Sequence, residues 1–376
     1  MKDIKIGIII GILAIWTTVI LVCSGIVVYK IFISEKNKPT VQEEQMTEME
    51  EESETEESQE ETQEAITEET VMEETTESVT YPEPEYVFQK EEIEIPISGL
   101  DREYRIAWVS DVHMINDLQA AEDVMEDQIE TIKLRDELLF RTQDGVPSRE
   151  LWPEIVKYLN YNQFDAIIFG GDMMDYCSQK NVDYMLQYYE QLNPDVPMMY
   201  IRADHDYGFW YGGDVFKEVD AWNTHMERFQ DHDELEQKVL YFDKFIILGI
   251  NKSTKDMESW YLDWVKSYFE LAQKTEREVI IATHVPYASQ VDGTLEALSF
   301  EVRNKVYYWG GGNYVPNEIT SQFMNLIYDE STIVKQVIAG HLHAKWDGMI
   351  TSQVRQHIFT PSYLGYIGII HVVPAE

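Results

Sequence analysis

Five short motifs hold most of the side chains in this chain that could bind a metal ion or transfer a proton. They follow one another in the order Asp111-Val112-His113, Gly171-Asp172-Met173-Met174-Asp175, Asp204-His205-Asp206, a single His284, and Gly340-His341-Leu342-His343. The possible ligand atoms are carboxylate oxygens and imidazole nitrogens, with no thiolate among them. Such donors suit divalent ions such as Mn, Fe, Zn or Mg. Two adjacent ions of this kind are a common apparatus for hydrolysing phosphoesters.

An apolar stretch of strand length precedes each motif. The stretches cover residues 105–109, 166–169, 198–201, 279–282 and 334–339, and four of them are rich in Val and Ile. This length and composition indicate buried strands. The candidate ligands are therefore predicted to gather along one edge of a sheet. Ligands supplied by several separate loops favour a site for more than one ion.

The motifs resemble those of the calcineurin-like metallophosphoesterase family, whose pattern is Asp-x-His, Gly-Asp-x-x-Asp, Gly-Asn-His-Asp/Glu, His and Gly-His-x-His. The resemblance extends from about residue 105 to the C-terminus. It implies an α/β fold over the domain 86–376, a four-layer α/β/β/α sandwich of two mixed sheets. The third motif departs from the family, because Ala203 and Asp204 stand where the family has Gly and Asn. The second change would add a negative charge beside a metal ion.

The resemblance also implies a role for each polar residue of the motifs. Two divalent metal ions are expected. The first would be held by Asp111, His113 and His343, and the second by Asp204, His284 and His341. Asp172 would bridge the two ions, and a metal-activated water would attack phosphorus. His205 would protonate the leaving group as a general acid, and Asp175 would orient its imidazole.

Amphipathic patterns fill the gaps between the predicted strands. Residues 120–140, 149–160, 181–192, 260–273 and 318–328 each place apolar side chains at three- and four-residue spacing. This spacing predicts helices that bury one face. The alternation of strands and helices favours a domain of the α/β class.

The N-terminus carries a separate signal, because residues 6–29 form an almost unbroken apolar stretch. This length predicts one transmembrane helix within residues 1–38. A cleaved signal peptide is the alternative, but no small-x-small cleavage site is evident. Because lysines lie on both sides of the stretch, the positive-inside rule does not decide its orientation. An anchor so near the N-terminus usually leaves the following chain outside, so we expect a single-pass cell-membrane protein with an extracytoplasmic catalytic domain.

The segment 39–85 consists mainly of Glu, Thr, Ser and Gln. This composition cannot bury a core, so it predicts a disordered linker. The whole chain has a formal net charge of −40, which would repel nucleic acid. We therefore expect no long nucleic acid as a partner. The expected partners are a phosphoester substrate, small-molecule or lipid-linked, and the membrane that receives the N-terminal helix.

Substrate selection should come from the loops around the site. The insert 114–160 could cap the site, or it could be additional structure with no role at the site. After His284, Arg303 or Lys305 could contact a phosphate, and a wall for the leaving group could come from Tyr307, Tyr308 and Trp309. An aromatic strand and its turn would explain the same three rings. A second candidate rim directly follows His205 and comprises Tyr207, Phe209, Trp210 and Tyr211.

These features together predict a membrane-anchored dinuclear-metal phosphoesterase that acts on a phosphomonoester or a phosphodiester. A protein phosphatase is a rival, but such enzymes place Arg where this chain has Tyr176 after the second motif. A catalytically weak or inactive relative that serves as a tethered sensor or scaffold is another rival. The retention of Asp172, His205 and His284 speaks against it.

Overall fold

The computed structural model describes residues 80–119, 126–207, 238–252, 256–312 and 314–375. The predicted anchor, 1–38, and all of the predicted linker before residue 80 lie outside these ranges. So do Phe209, Trp210 and Tyr211 of the second candidate rim. Among the helices within these ranges, none combines the length and the apolar character needed to cross a membrane.

Strands and helices alternate along the described part of the chain. The strands are β1 (Gln89–Ile97), β2 (Tyr104–Val109), β3 (Ala166–Phe169), β4 (Met198–Tyr200), β5 (Val239–Tyr241), β6 (Phe245–Ile250), β7 (Glu278–Thr283), β8 (Val334–Ala339), β9 (Trp346–Met349), β10 (Arg355–Ile358) and β11 (Tyr366–Pro374). The α-helices are α1 (Glu126–Leu134), α2 (Ser148–Asn162), α3 (Gln179–Tyr189), α4 (Asp204–Tyr207), α5 (Ser259–Lys274), α6 (Thr294–Arg303) and α7 (Glu318–Tyr328). A π-helical segment, Arg135–Leu139, continues α1.

The strands form two mixed sheets. The first has the order β1-β11-β2-β3-β4, and the second has the order β5-β6-β7-β8-β10-β9. In the first sheet β11 runs antiparallel to β2, while β2, β3 and β4 run parallel to one another. In the second sheet β6, β7, β8 and β10 are parallel, and β5 and β9 are antiparallel additions.

Three buried clusters show how these elements pack. One cluster joins the facing sides of the two sheets and includes Trp108 and Ile168 of the first sheet with Ile280 and Ile338 of the second. A second cluster packs α2 and α3 on the first sheet, and a third packs α5 and α7 on the second. Helices therefore cover the outer face of each sheet. This arrangement fits the predicted α/β sandwich of two mixed sheets.

The parallel strands place the five motifs. Strands β2, β3, β7 and β8 are apolar at nearly every position because both of their faces are buried, as is usual for parallel strands between layers. The motifs follow β2, β3, β4, β7 and β8 directly. The carboxyl ends of parallel strands lie at one edge of each sheet. The first three motifs follow strands of the first sheet and the last two follow strands of the second. The site therefore forms where two sheet edges meet and not, as the sequence predicted, along one edge of a single sheet.

Candidate active site

The loops that carry the motifs have an unusual backbone. Five candidate ligands have a positive φ: Asp111 (52°), His113 (46°), Asp172 (52°), His341 (74°) and His343 (56°). Each such residue costs on the order of 1–3 kcal/mol, and conformations of this kind concentrate at functional sites. Hydrogen bonds between the loops stabilise them, including the one that the Asp111 N–H donates to the Gly171 carbonyl (2.8 Å).

Two motif glycines are needed because the loops approach so closely. A Cβ on Gly340 would lie 2.4 Å from Asp111 Oδ2. A Cβ on Gly171, whose φ is +94°, would lie 2.8 Å from His284 Nδ1. Any side chain at either position would push a candidate ligand out of place, so these glycines are part of the site.

The first group of converging ligand atoms comes from Asp111, His113, Asp172 and His343, and these atoms lie within 4.8 Å of one another. The Nε2 atoms of His113 and His343 are 3.0 Å apart. His343 Nε2 lies 3.4 Å from Asp111 Oδ1, and His113 Nε2 lies 3.5 Å from Asp172 Oδ2. Two imidazoles and two carboxylates thus point at one small volume.

The second group comes from Asp172, Asp204, His284 and His341, again within 4.8 Å. His284 is fully buried, and its Nδ1 is 2.8 Å from the Gly170 carbonyl, which leaves Nε2 to face the group. That Nε2 lies 3.2 Å from Asp172 Oδ2. The two groups share Asp172, and together they hold all seven residues that the family resemblance assigns to two metals, in the same division.

A divalent metal ion fits the second group because two of its buried ligand atoms lack a hydrogen bond. They are Asp204 Oδ1 and His341 Nε2, and neither has a hydrogen-bond partner among the described residues. Buried polar atoms are nearly always satisfied, so two such atoms aimed at one volume indicate a missing partner. Carboxylate and imidazole donors are those that divalent ions of the Mn, Fe and Zn type accept.

Protonation states in the site also suit metal binding. Burial and the nearby charge of His205 lower the pKa of His113 to about 3. Burial likewise holds the pKa of His341 well below its usual value. Burial alone would raise the pKa of Asp111 and of Asp172, but the charge of His284, together with smaller contributions from His343 to Asp111 and from His205 to Asp172, lowers both. Neutral imidazoles and ionised carboxylates are the forms that bind metals.

His284 behaves differently. Burial disfavours its charged form, yet the charges of Asp172 and Asp111 raise the pKa of its imidazole to about 10. The imidazolium therefore supplies the positive charge between two buried carboxylates. Binding of a cation there would release this proton, as metal binding to protein ligands generally does.

A third cluster joins His113, Asp175 and His205 beside the first group. Asp175 Oδ1 lies 3.1 Å from His113 Nδ1 and 3.2 Å from His205 Nδ1. His205 Nδ1 also lies 2.7 Å from the Asp175 carbonyl oxygen, so Nδ1 donates and Nε2 is the other titrating nitrogen. Against the effect of burial, the charges of Asp172 and Asp175 raise the pKa of His205 to about 10. An imidazolium in this place can donate a proton.

The ligand groups open onto a cavity of about 460 Å³. Its wall comprises His113, Arg135, Leu139, Phe140, Asp172, Asp204, His205, Val302, Arg303, Tyr307, His341, Leu342, His343 and Tyr363. The insert 114–160 thus contributes directly to the wall. Of the candidate substrate contacts in the segment after His284, Arg303 and Tyr307 line the cavity. Lys305 does not and lies over the Tyr307 ring (4.4 Å), while Tyr308 and Trp309 are buried outside the cavity.

Three further residues support the site, and two of them lie outside the sequence motifs. The Asp206 carboxylate accepts four backbone N–H groups, from Asp172, Met173, Met174 and Ala203, and so ties the second motif to the third. Phe140 stacks on His113 with ring centroids 4.2 Å apart. Arg135 binds Asp175. Asp206 stands in a recognised motif, but Phe140 and Arg135 reach the site from an insert that has no motif.

A model of the calcineurin-like phosphoesterase family matches residues 104–345, a range that contains all five motifs. The chain belongs to the calcineurin-like phosphoesterase family. The resemblance inferred from the motifs is thereby confirmed. For a calcineurin-like phosphoesterase, the convergence of carboxylates and imidazoles described above supports divalent metals as cofactors. No curated protein sequence matches the chain.

Several solved structures are similar to this calcineurin-like phosphoesterase. A dimetal phosphatase from Danio rerio is 11% identical, with a TM-score of 0.41 over 70% of this chain and 89% of that one. A putative 5'-nucleotidase from Staphylococcus aureus is 12% identical, with a TM-score of 0.34 over 69% and 49%. A 5'-nucleotidase from Candida albicans is 14% identical, with a TM-score of 0.34 over 72% and 47%. The matched part spans about half the length of the two nucleotidases.

Proposed function

We propose that the chain is a metal-dependent phosphoesterase that hydrolyses a small phosphomonoester or phosphodiester, with His205 as the proton donor. The position of Asp172 carries this proposal. Its carboxylate belongs to both ligand groups, and its Oδ1 also accepts the backbone N–H of His205 at 3.3 Å. One side chain thus links two candidate metal sites to the candidate acid, an arrangement suited to metal-assisted hydrolysis of a phosphoester.

Two divalent ions held by these groups would polarise phosphate oxygens and lower the pKa of a water molecule. Side chains of the protein would donate the proton and hold the reacting groups in place. His205 lines the cavity and would pass a proton to the oxygen of the departing alcohol. Asp175 would hold the imidazole through Nδ1 and favour its charged form. Tyr307 stacks on His341 (4.3 Å between centroids) and would fix that imidazole in place.

Arg303 is our candidate for a substrate contact. Its Nη2 donates to the His341 carbonyl at 2.9 Å, which fixes the guanidinium at the cavity wall. A guanidinium binds phosphate oxygens well because its N–H groups match their geometry. The volume of the cavity, about 460 Å³, suits a small organic phosphoester.

The proposal is tested by incubating the purified chain with p-nitrophenyl phosphate and with bis(p-nitrophenyl) phosphate, in Mn, Zn, Fe or Mg. We expect hydrolysis that EDTA abolishes and that added metal restores. Activity that survives complete removal of metal would contradict the metal-dependent mechanism. Bound metal without hydrolysis of any small phosphoester would favour the inactive metal-binding relative instead.

Asp204→Asn should have opposite effects on stability and on metal binding. Burial and the charge of Asp172 raise the pKa of Asp204, and its buried Oδ1 has no hydrogen-bond partner among the described residues. Replacing this carboxylate with a neutral amide should stabilise the metal-free chain by about 1 kcal/mol. It should also weaken one metal site by about tenfold, or about 1.4 kcal/mol.

Metal titration and thermal unfolding of metal-free protein would measure the two effects. Asp347→Asn is a matched control, because Asp347 pairs with Arg355 outside the cavity wall. Two sites of unchanged affinity together with unchanged apo stability would show that Asp204 is not a ligand.

We propose also that residues 6–29 anchor the chain in a membrane with the catalytic domain outside the cytoplasm. The support is the length of the apolar stretch and the acidic segment that follows it. Protease added to intact cells should then cut within residues 39–85 and release the domain, because solvated tethers are cleaved readily. Protection until lysis would contradict the orientation, and recovery in the soluble fraction would contradict the anchor.

A further inference from the structure

The π-helical segment Arg135–Leu139 brings one guanidinium into the site from an insert that carries no motif. It follows α1 directly and ends at Phe140, where the Phe140 N–H donates to the Arg135 carbonyl at 2.9 Å. Short π-helical stretches are uncommon and are frequently found at functional sites. Both Arg135 and Phe140 line the catalytic cavity.

Arg135 donates two hydrogen bonds to the Asp175 carboxylate. Its Nε donates to Oδ2 at 2.8 Å, and its Nη2 donates to Oδ1 at 2.6 Å. The Asp175 side chain is fully buried, whereas that of Arg135 is 15% exposed. A paired donation of this kind fixes both carboxylate oxygens and therefore the plane of the carboxylate.

The fixed oxygen Oδ1 is the one that faces both neighbouring imidazoles. It lies 3.1 Å from His113 Nδ1 and 3.2 Å from His205 Nδ1. If the carboxylate turned, both contacts would change together. The orientation of the candidate acid and that of one candidate ligand thus depend on a carboxylate whose own orientation is set by Arg135.

The same arginine is packed against the stack that supports His113. Its guanidinium carbon lies 4.6 Å from the centre of the Phe140 ring. Phe140 in turn stacks on His113 at 4.2 Å, with the two rings nearly parallel (9°). Arg135 and His113 thus both pack against the Phe140 ring, which limits how far Arg135 can move away from Asp175.

We infer that Arg135 is a positioning residue for proton donation: it fixes Asp175 so that His205 is aimed at the leaving group. This inference rests on the proposed function and adds to it a residue that the motifs do not contain. Lysine cannot replace Arg135 fully, because an ammonium group offers no planar fork to hold both oxygens.

The test compares a good leaving group with a poor one. Departure of p-nitrophenolate needs no proton, whereas departure of an alkoxide does. In Arg135→Ala we expect kcat for an alkyl phosphate to fall by about 10- to 100-fold, the usual cost of losing a residue that orients a functional group. The kcat for p-nitrophenyl phosphate should change much less, and added guanidinium ion should restore part of the alkyl phosphatase activity. Metal content should be unchanged, because the stack on Phe140 still holds His113.

Two further variants separate positioning from folding. Arg135→Lys keeps the charge beside buried Asp175, so it should keep the melting temperature while still losing activity on the alkyl phosphate. Arg149→Ala is the matched control, because Arg149 pairs with Asp136, the next residue of the same segment, and does not line the cavity. It should leave the ratio of the two activities unchanged.

Equal losses on both substrates in Arg135→Lys, or the same change of ratio in Arg149→Ala, would overturn the inference while leaving the proposed function intact. A wild-type chain that hydrolyses neither substrate with any of the four metals would overturn the proposed function, and this inference with it.

Discussion

Asp172→Asn is expected to lower kcat for p-nitrophenyl phosphate by about 10³-fold or more, because the removed charge is shared by both ligand groups. Asp172 Oδ2 lies 3.2 Å from His284 Nε2 and 3.5 Å from His113 Nε2, one imidazole from each group. An amide oxygen in the place of Oδ2 would be neutral, and the NH₂ group in the place of Oδ1 would face the backbone N–H of His205, which is itself a donor. Metal ions stabilise phosphoryl transition states by several kcal/mol, and 10³-fold corresponds to about 4 kcal/mol.

Metal content and kcat should fall together in this variant. Elemental analysis of the purified protein should find that Asp172→Asn binds less metal than the wild type, and the loss should persist at high metal concentration. Asp347→Asn is again the control for a general effect of removing an acidic side chain. Wild-type metal content with activity within tenfold of the wild type would show that Asp172 does not join the two sites.

The polar motifs could be placed from the sequence because their environment is encoded locally. Strands β2, β3, β7 and β8 are mostly apolar because both of their faces are largely buried, and a polar motif follows the end of each one. Parallel pairing then brings the strand ends of each sheet to one edge of that sheet, and the packing of the two sheets joins the two edges. The division of seven ligand candidates into two groups needed the family resemblance, because spacing alone does not tell which loops face each other.

Strand β1 shows where local patterns are ambiguous. Its Ile93, Ile95 and Ile97 alternate with polar residues, but Pro96 and several Glu residues argue against a central strand. The structure resolves the conflict by placing β1 at the edge of the first sheet, paired only with β11. Strand β11 lies at the opposite end of the domain in sequence, so no short stretch of sequence could reveal that the two strands pair.

Arg135 and His357 show that the contacts of a side chain likewise cannot be predicted from a short stretch of sequence. Arg135 meets Asp175 across 40 residues of sequence, and nothing about a single arginine in a charged helix distinguishes it from its exposed neighbours. His357 lies outside the motifs, which predicts an ordinary surface or core histidine, and it is a buried one whose Nε2 lies 2.6 Å from Glu91 Oε1. A buried hydrogen bond of this kind depends on residues from two distant strands being brought together, which only the folded chain can show.

The structure also corrects the extent of one helix. The amphipathic pattern predicts a helix over residues 120–140, and within the described residues α1 covers Glu126–Leu134 before the π-helical segment Arg135–Leu139 begins. The hydrophobic period alone cannot distinguish α from π over five residues. The change in hydrogen bonding has a structural consequence, because it is this segment that carries Arg135 and leads into Phe140 at the cavity.

His205→Ala should lower kcat for alkyl phosphates by about 10²- to 10⁴-fold, the usual contribution of a general acid, while p-nitrophenyl phosphate should lose about tenfold or less. His205 belongs to neither four-residue ligand group, so both groups should retain their metals. Its imidazole is held at Nδ1 by the Asp175 carbonyl (2.7 Å), an arrangement that leaves proton transfer to Nε2. The leaving-group dependence follows because only an alkoxide needs a proton as it departs.

A matched control is His371→Ala, which removes an imidazole that pairs with Glu103 and does not line the cavity. A series of aryl phosphates with leaving groups of increasing pKa would give the clearest measurement. The wild type should show a shallow dependence of kcat on that pKa, and His205→Ala a steep one, because the charge that develops on the leaving oxygen would no longer be neutralised. Parallel lines for the two proteins would exclude His205 as the acid, and a loss of metal in the variant would make it a ligand instead.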